Sequence, residues 1–220
     1  MDIEPLWVAT LGTALVAYRR TAGLTAGPYH PTGCWGPYPG GGYYELAVQS
    51  YGCAALDWAH GILFPGQDLT AFFSAAQIAA DEASALTQQA ARPFFYPDRM
   101  GTPSAWVGGG SKADVSSAAE RALSVLEGIS MTLYSLVFDE LGARGELKKL
   151  IVAGGGSRSD FWLQLLADVL GVSIQRGNGD ALLGAARLAL PEVTSPGEAP
   201  SQGLPPQTWR PDPIRTAYYK

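Results

Sequence analysis

The chain has 220 residues, 47% hydrophobic and 16% charged, with 15 Lys+Arg against 20 Asp+Glu and a formal net charge of -5. A chain of this size buries roughly 70% of the surface its unfolded form exposes, so its core needs neither disulfides nor a structural metal, and its apolar content excludes a disordered chain. The acidic balance offers no field for a nucleic-acid backbone or an anionic membrane, and two cysteines with two histidines are too few for a zinc site of recognisable spacing.

Met1-Asp2-Ile3-Glu4-Pro5 lacks the basic and apolar regions of a signal peptide. No apolar run approaches the roughly 18–20 residues of a membrane span. The expected location is cytoplasmic, with Cys34 and Cys53 as free thiols.

Leu6–Ala9 and Leu15–Tyr18 are short apolar runs joined around Gly12-Thr13, the pattern of a hairpin. Residues 19–42, rich in glycine and proline, read as one long loop, and a third strand is expected over Tyr43–Val48. Helices are expected over roughly 50–61 and 68–90, then a buried strand at Phe94-Phe95-Tyr96 and a second Gly-rich loop over 101–112. Residues 114–141 carry an apolar stripe through Val115, Ala119, Ala122, Leu126, Ile129, Leu133, Val137 and Leu141, ending at Gly142, and predict the longest helix. A strand over Lys148–Ala153 runs into Gly154-Gly155-Gly156, and a helix opens immediately after, with Ser157 and Asp160 at capping-box spacing and Gly171 closing it. Val172-Ser173-Ile174 predicts another strand, 180–190 a last helix, and 191–214 an uneven Pro-rich tail packed across the surface. The order is α/β with mixed strand directions, parallel late in the chain.

The strand–Gly154-Gly155-Gly156–helix unit is the strongest local feature. A helix N-terminus gathers unpaired N–H groups and positive dipole charge, and glycines remove side chains that would keep a ligand away. Such a turn suits a phosphate or the flat face of a purine, and equally a tight connection that binds nothing. It is neither a Walker A loop nor Gly-x-Gly-x-x-Gly, because Ser159 stands where the third glycine belongs. Gly12-Thr13 can aim backbone N–H groups and a hydroxyl at a phosphate, though most Gly-Thr hairpins are only turns. Asp57 and Asp98 are carboxylates without a partner that assigns them a role; His60 suits packing or capping. The aromatic region Trp35, Tyr38, Tyr43, Tyr44, Tyr51 and Trp58 suits a sugar cleft or plain packing.

Three blocks then occur in a recognisable order: Ala-Glu-Arg-Ala-Leu-Ser-Val-Leu-Glu-Gly-Ile at 119–129, Leu-Ile-Val-Ala-Gly-Gly-Gly-Ser-Arg-Ser-Asp-Phe-Trp at 150–162 continuing to Gly171, and Leu-Gly-Ala-Ala-Arg-Leu-Ala at 183–189. They resemble the C-terminal domain of the FGGY carbohydrate kinases, nearest to the xylulokinase branch. Leu11-Gly12-Thr13 sits where that family has its second phosphate-binding hairpin, and Gly52 with Asp57-Trp58 resembles its following strand and helix. The resemblance implies an actin-like ATPase (ribonuclease H-like) domain over 1–195, a mixed sheet flanked by helices, followed by a tail over 196–220.

It further implies a kinase that binds ATP and Mg2+ and phosphorylates a ketopentose. By the same resemblance Gly12 and Thr13 meet the terminal phosphates, Gly155, Gly156 and Ser157 border the adenosine, Asp160 lies near the base, and Gly52 approaches the nucleotide. The family's N-terminal domain, with its phosphate loop, Mg2+ carboxylate and most sugar contacts, is not found among these residues. Asp2 lacks the pattern of the catalytic aspartate, so no catalytic residue is assigned. Ala14 replaces the small hydroxyl residue that follows Gly-Thr, and the loop His30–Tyr38 is closer to ribulokinase-like members. The chain by itself is expected to be inactive and to pair with the absent domain. An apolar face left open by that absence favours a homodimer. The rival reading is a non-catalytic actin-like module for binding or assembly.

Overall fold

The computed structural model describes residues 6–23, 33–38, 41–85, 92–108, 117–177 and 207–219. Nine strands and five α-helices follow in chain order among them: β1 Leu6–Leu11, β2 Leu15–Thr21, β3 Gly33–Pro37, β4 Tyr43–Gln49, α1 Cys53–Leu63, α2 Leu69–Ala85, β5 Phe94–Phe95, β6 Trp106–Val107, α3 Ala118–Ser135, β7 Lys149–Ala153, α4 Asp160–Leu170, β8 Ser173–Arg176, β9 Thr208–Trp209 and α5 Pro213–Tyr219. Seven strands form one sheet in the order β3-β4-β2-β1-β7-β8-β9. Strands β1 to β4 are antiparallel neighbours, while β7 lies parallel to β1 and β8 parallel to β7.

Alternation decides which face is covered. Trp7, Ala9 and Leu11 of β1, Leu15 and Ala17 of β2, and Leu150 and Val152 of β7 are all buried, at every second position. Alanines at Ala9, Ala17, Ala47, Ala55, Ala59, Ala76 and Ala79 let the helices approach the sheet and one another closely. Helix α3 is the central element, touching α1, α2 and α4. It starts later than its apolar stripe suggests, because Ser117 and Glu120 form a capping box in which each side chain accepts the other's backbone N–H. The stripe continues through a π-helical turn, Leu136–Glu140. Together they make a 23-residue helix long and apolar enough to cross a membrane, despite the expectation that no run would be, but 67% of its apolar window is buried inside the fold.

The chain departs from the sequence expectations at several points. Within the stretch expected to be a loop over 19–42, β2 runs on to Thr21 and Gly33–Pro37 pairs with β4 as an edge strand. The loop expected over 101–112 contains β6, which pairs with β5 in a separate two-stranded sheet, where Phe95 is buried but Phe94 is exposed. Glycine content predicted loops there because cross-strand pairing is a long-range property that local composition does not carry. A 3-10 turn, Gly155–Arg158, separates β7 from α4, and Ser159 rather than Ser157 is the N-cap, accepting from the Trp162 N–H. Gly171 ends α4 in the left-handed region as expected (φ +69°). The end of the chain joins the structure, with β9 on the sheet edge and α5 against α4. The expected helix over 180–190 lies outside the described residues.

Candidate functional site

Parallel pairing of β1 and β7, with Thr10 opposite Ala153, places the carboxyl ends of both strands side by side. The chain leaves one strand through Gly12-Thr13 and the other through Gly154-Gly155-Gly156, so two Gly turns 142 positions apart meet at one rim of the sheet. Open α/β sheets bind ligands at such strand ends.

Each of the three consecutive glycines answers a different constraint. Gly154 adopts φ +93° and ψ 178°, a conformation essentially confined to glycine, and a Cβ there would lie 2.5 Å from the Leu11 carbonyl oxygen. At Gly156 a Cβ would stand 2.6 Å from Cζ3 of Trp162 and 2.9 Å from Cβ of Leu11. Trp162 is fully buried and held by its Nε1–H donating to Ser130 Oγ at 3.1 Å, so the floor under Gly156 cannot retreat cheaply. Gly155 has nothing within 4 Å of its Cβ position, and open space lies over it.

The Gly12-Thr13 turn is fixed from behind by the start of α1. Cys53 N–H donates to the Gly12 carbonyl at 2.8 Å, and the Gly52 and Ala54 N–H groups donate to the Thr13 carbonyl at 3.1 and 3.2 Å. The otherwise unpaired first N–H groups of a helix are thereby spent on two carbonyls. In a trans peptide the N–H points opposite the C=O, so the Thr13 and Ala14 N–H groups are turned away from α1. Gly52 allows this contact, since a Cβ there would meet Gly12 O at 2.7 Å and the Ala14 carbonyl carbon at 2.8 Å.

Between the two turns and α2 opens a cleft of about 780 Å3. Gly12, Thr13, Gly155, Gly156 and Asp160 all line it. Ser157 and Gly52 do not. Ser157 is buried and its hydroxyl donates to the Gly154 carbonyl at 2.7 Å, which braces the turn. The remaining wall was not legible beforehand: Phe73 and Gln77 come from α2, and Arg158 is the lone lysine, arginine or histidine among the lining residues described. Asp57 also faces the cleft, from α1. Asp160, exposed at the helix start, forms an ion pair with Arg176.

Cys53 lies at the back of the cleft. Burial pushes its thiol up to about 11, helped by the Asp57 charge and opposed by a hydrogen bond with the Gly156 backbone, so at neutral pH it is an uncharged thiol. Among the described residues no three His, Cys, Asp or Glu side chains are grouped to hold a metal ion. Asp98 is exposed and lines a second cavity of about 460 Å3 with Tyr51 and Glu140. The aromatic region does not enter the cleft: Trp35 and Tyr43 meet edge to face at 6.4 Å on the outer strands, and Trp58 stacks on Trp106 at 5.3 Å. His60 packs edge-on against Phe72, as expected of a packing residue.

The sequence profile of the FGGY family of carbohydrate kinases, C-terminal domain, matches residues 8–191. This chain belongs to that family. A curated relative, the xylulose kinase of Klebsiella pneumoniae, is 29% identical over 222 aligned positions, covering 96% of this chain and 44% of the relative. Among solved structures, ligand-bound xylulose kinase from Lactobacillus acidophilus superposes with TM-score 0.75 at 20% identity, over 97% of this chain and 44% of that one. Gluconate kinase from the same organism gives TM-score 0.73 at 20% identity, again over 97% and 44%. The chain thus spans less than half the length of these relatives. The fold is that of the C-terminal, actin-like domain of FGGY kinases, and structures named for two different sugars fit it almost equally well.

Proposed function

We propose that this chain is the nucleotide-binding half of an FGGY sugar kinase, which transfers the terminal phosphoryl group of ATP to a ketopentose of the xylulose type. The observation that carries it is the cleft between the Gly12-Thr13 and Gly154–Gly156 turns, kept free of side chains by glycines whose replacement would fill it or displace its walls. Thr13, which lines the cleft with its N–H turned away from α1, suits the terminal phosphates. The open face over Gly155, with Phe161 and Phe73 nearby, suits the adenosine, and Asp160 stands at its edge. Ser157 and Gly52 support this site from behind.

Phosphoryl transfer rests on positioning and charge stabilisation, which requires groups on both sides of the phosphates. These residues supply one side. Mg2+ would reach the site with the nucleotide phosphates, and its protein ligand, like the catalytic base and most sugar contacts, belongs to the family's N-terminal domain. We assign residues 1–195 to the kinase domain, followed by a C-terminal segment over 196–220 whose β9 and α5 pack onto it, and place the whole enzyme in the cytoplasm. The test is calorimetric titration with MgADP and MgATP, together with a xylulose phosphorylation assay of the chain alone and with an FGGY N-terminal domain added in trans. Saturable nucleotide binding with activity only in the mixture is expected. Activity of the chain alone, or no nucleotide binding in either setting, refutes the proposal; the second result favours the non-catalytic module.

A further inference from the structure

Arg176, the last residue of β8, makes four side-chain contacts, one of them with Asp160 at the rim of the cleft. Its Nε–H donates to the Ser157 carbonyl at 2.8 Å, inside the 3-10 turn. Its Nη2 pairs with the Asp160 carboxylate in the first turn of α4. Its Nη1 donates to Gln207 Oε1 at 3.3 Å, and the guanidinium lies over the Trp209 ring, 4.8 Å from the centroid. The backbone is engaged too, since Arg176 N–H donates to the Gln207 carbonyl at 3.1 Å.

A planar guanidinium with five donors can hold a carbonyl and a carboxylate at once while stacking on an aromatic face, which an ammonium cannot. The two groups it holds flank Arg158 and Ser159, so it ties the Gly turn to the first turn of α4.

The stretch that supports Arg176 comes from the end of the chain and is itself tied down twice. Asp168, fully buried, accepts the Asp212 N–H at 2.8 Å, and Gln164 Nε2 bridges Asp168 to the Arg210 carbonyl at 2.9 and 2.8 Å. Further on, the Tyr219 hydroxyl donates to Glu127 of α3 at 2.8 Å, and Arg92 pairs with the same Glu127 oxygen at 3.2 Å while donating to the Tyr218 hydroxyl at 2.7 Å. An appendage that only covered surface would need none of these links.

We propose that Arg176 is a positioning residue for the nucleotide, holding the Ser157 carbonyl and Asp160 in place from a seat formed by Gln207 and Trp209, so that the C-terminal segment is part of the nucleotide site. This rests on the nucleotide reading above. It makes no claim that Arg176 touches the ligand.

The experiment compares the whole chain with Arg176→Ala, Arg176→Lys, Trp209→Ala and, as a control on an exposed pair away from the cleft, Arg144→Ala. Two quantities are read: the MgADP dissociation constant by calorimetry, and amide hydrogen exchange over residues 154–161 without ligand. In Arg176→Ala the dissociation constant should rise at least about tenfold, with faster exchange confined to 154–161 and β7 left protected. Arg176→Lys should recover part of both effects, because it keeps a charge for Asp160 but cannot also hold Ser157. Trp209→Ala should move both in the same direction, and Arg144→Ala neither.

Unchanged affinity, unchanged local exchange, or exchange spread through β7 and β8 would each overturn the proposal, the last by showing a merely structural residue. Failure of the unaltered chain to bind MgADP both alone and with the N-terminal domain in trans would instead sink the nucleotide reading. The nucleotide role of Arg176 then falls with it, and exchange judges only the bracing of the turn: confined acceleration in Arg176→Ala shows that Arg176 holds residues 154–161, and its absence shows that it does not.

Discussion

Replacing Gly154 and Gly155 one at a time separates what the turn needs in order to fold from what it needs in order to bind. Alanine at Gly154 must adopt φ +93° with ψ 178°, which costs about 1–3 kcal/mol, and must push back a carbonyl oxygen 2.5 Å from its Cβ, which costs about 1–3 kcal/mol more. In a chain of this size each kcal/mol lowers Tm by about 2–4 °C, so Gly154→Ala should lose on the order of 10 °C. Valine at Gly155 meets nothing within 4 Å of its Cβ, and a substitution of that kind changes stability by about 0.5 kcal/mol at most. Its side chain nevertheless fills the space over the turn where a ligand would lie. Thermal unfolding and MgADP calorimetry on both variants give the comparison. Gly155→Val should keep its Tm and lose at least about tenfold in affinity. Equal losses of Tm would refute the division of roles between the two glycines, and full affinity in Gly155→Val would remove the nucleotide from this cleft.

Three further outcomes are expected. Gly52→Ala should cost about 1–3 kcal/mol by forcing its Cβ against Gly12 O, and should weaken nucleotide binding too, because the Gly12-Thr13 turn moves with it; thermal unfolding with calorimetry reads both, and loss of stability without loss of affinity would contradict the link. The two thiols should differ sharply towards a disulfide reagent at pH 7–8: Cys34 is exposed and should react at once, whereas Cys53, with its pKa near 11, should react only after unfolding. Burial raises the Glu127 carboxyl above the ordinary glutamate range, against the pull of Arg92 and Tyr219, so the folded state binds its proton more tightly than the unfolded state does. Its contribution is then complete below the unfolded value and is lost as pH rises through the folded one. The stability of the unaltered chain should therefore fall relative to Glu127→Gln over that interval, and a relative rise would show that the Arg92 pairing outweighs burial.

The elements that sequence predicts well here are those whose cause is local. The apolar runs Leu6–Ala9 and Leu15–Tyr18 about Gly12-Thr13, the stripe along α3 and the glycine that ends α4 are patterns of a few neighbouring residues, and each marks a strand, a buried helix face or a helix end. The glycines at 12, 155 and 156 were legible for the same reason, as turn chemistry beside apolar runs, whereas Asp160 became a candidate only through a block order resembling one family. Ser157 was misplaced as a cap because Ser159, two residues on, offers the same hydroxyl, and only the 3-10 turn between β7 and α4 decides which one meets the helix.

What tertiary structure alone decided is everything that depends on partners far apart in the chain. Composition over 19–42 and 101–112 showed glycine and proline, but whether such a stretch pairs depends on a strand edge being available beside it. Nothing local to Gly154 reveals that Leu11 O stands 2.5 Å from its Cβ position, nor that the carbonyls of Gly12 and Thr13 are taken by the start of α1. Arg176 lies beyond the strand expected at Val172-Ser173-Ile174 and drew no reading from the sequence, while Trp209 fell within the uneven tail. They meet because β9 adds to the edge of β8, a pairing made by backbone hydrogen bonds that carry no signature in the side chains on either strand.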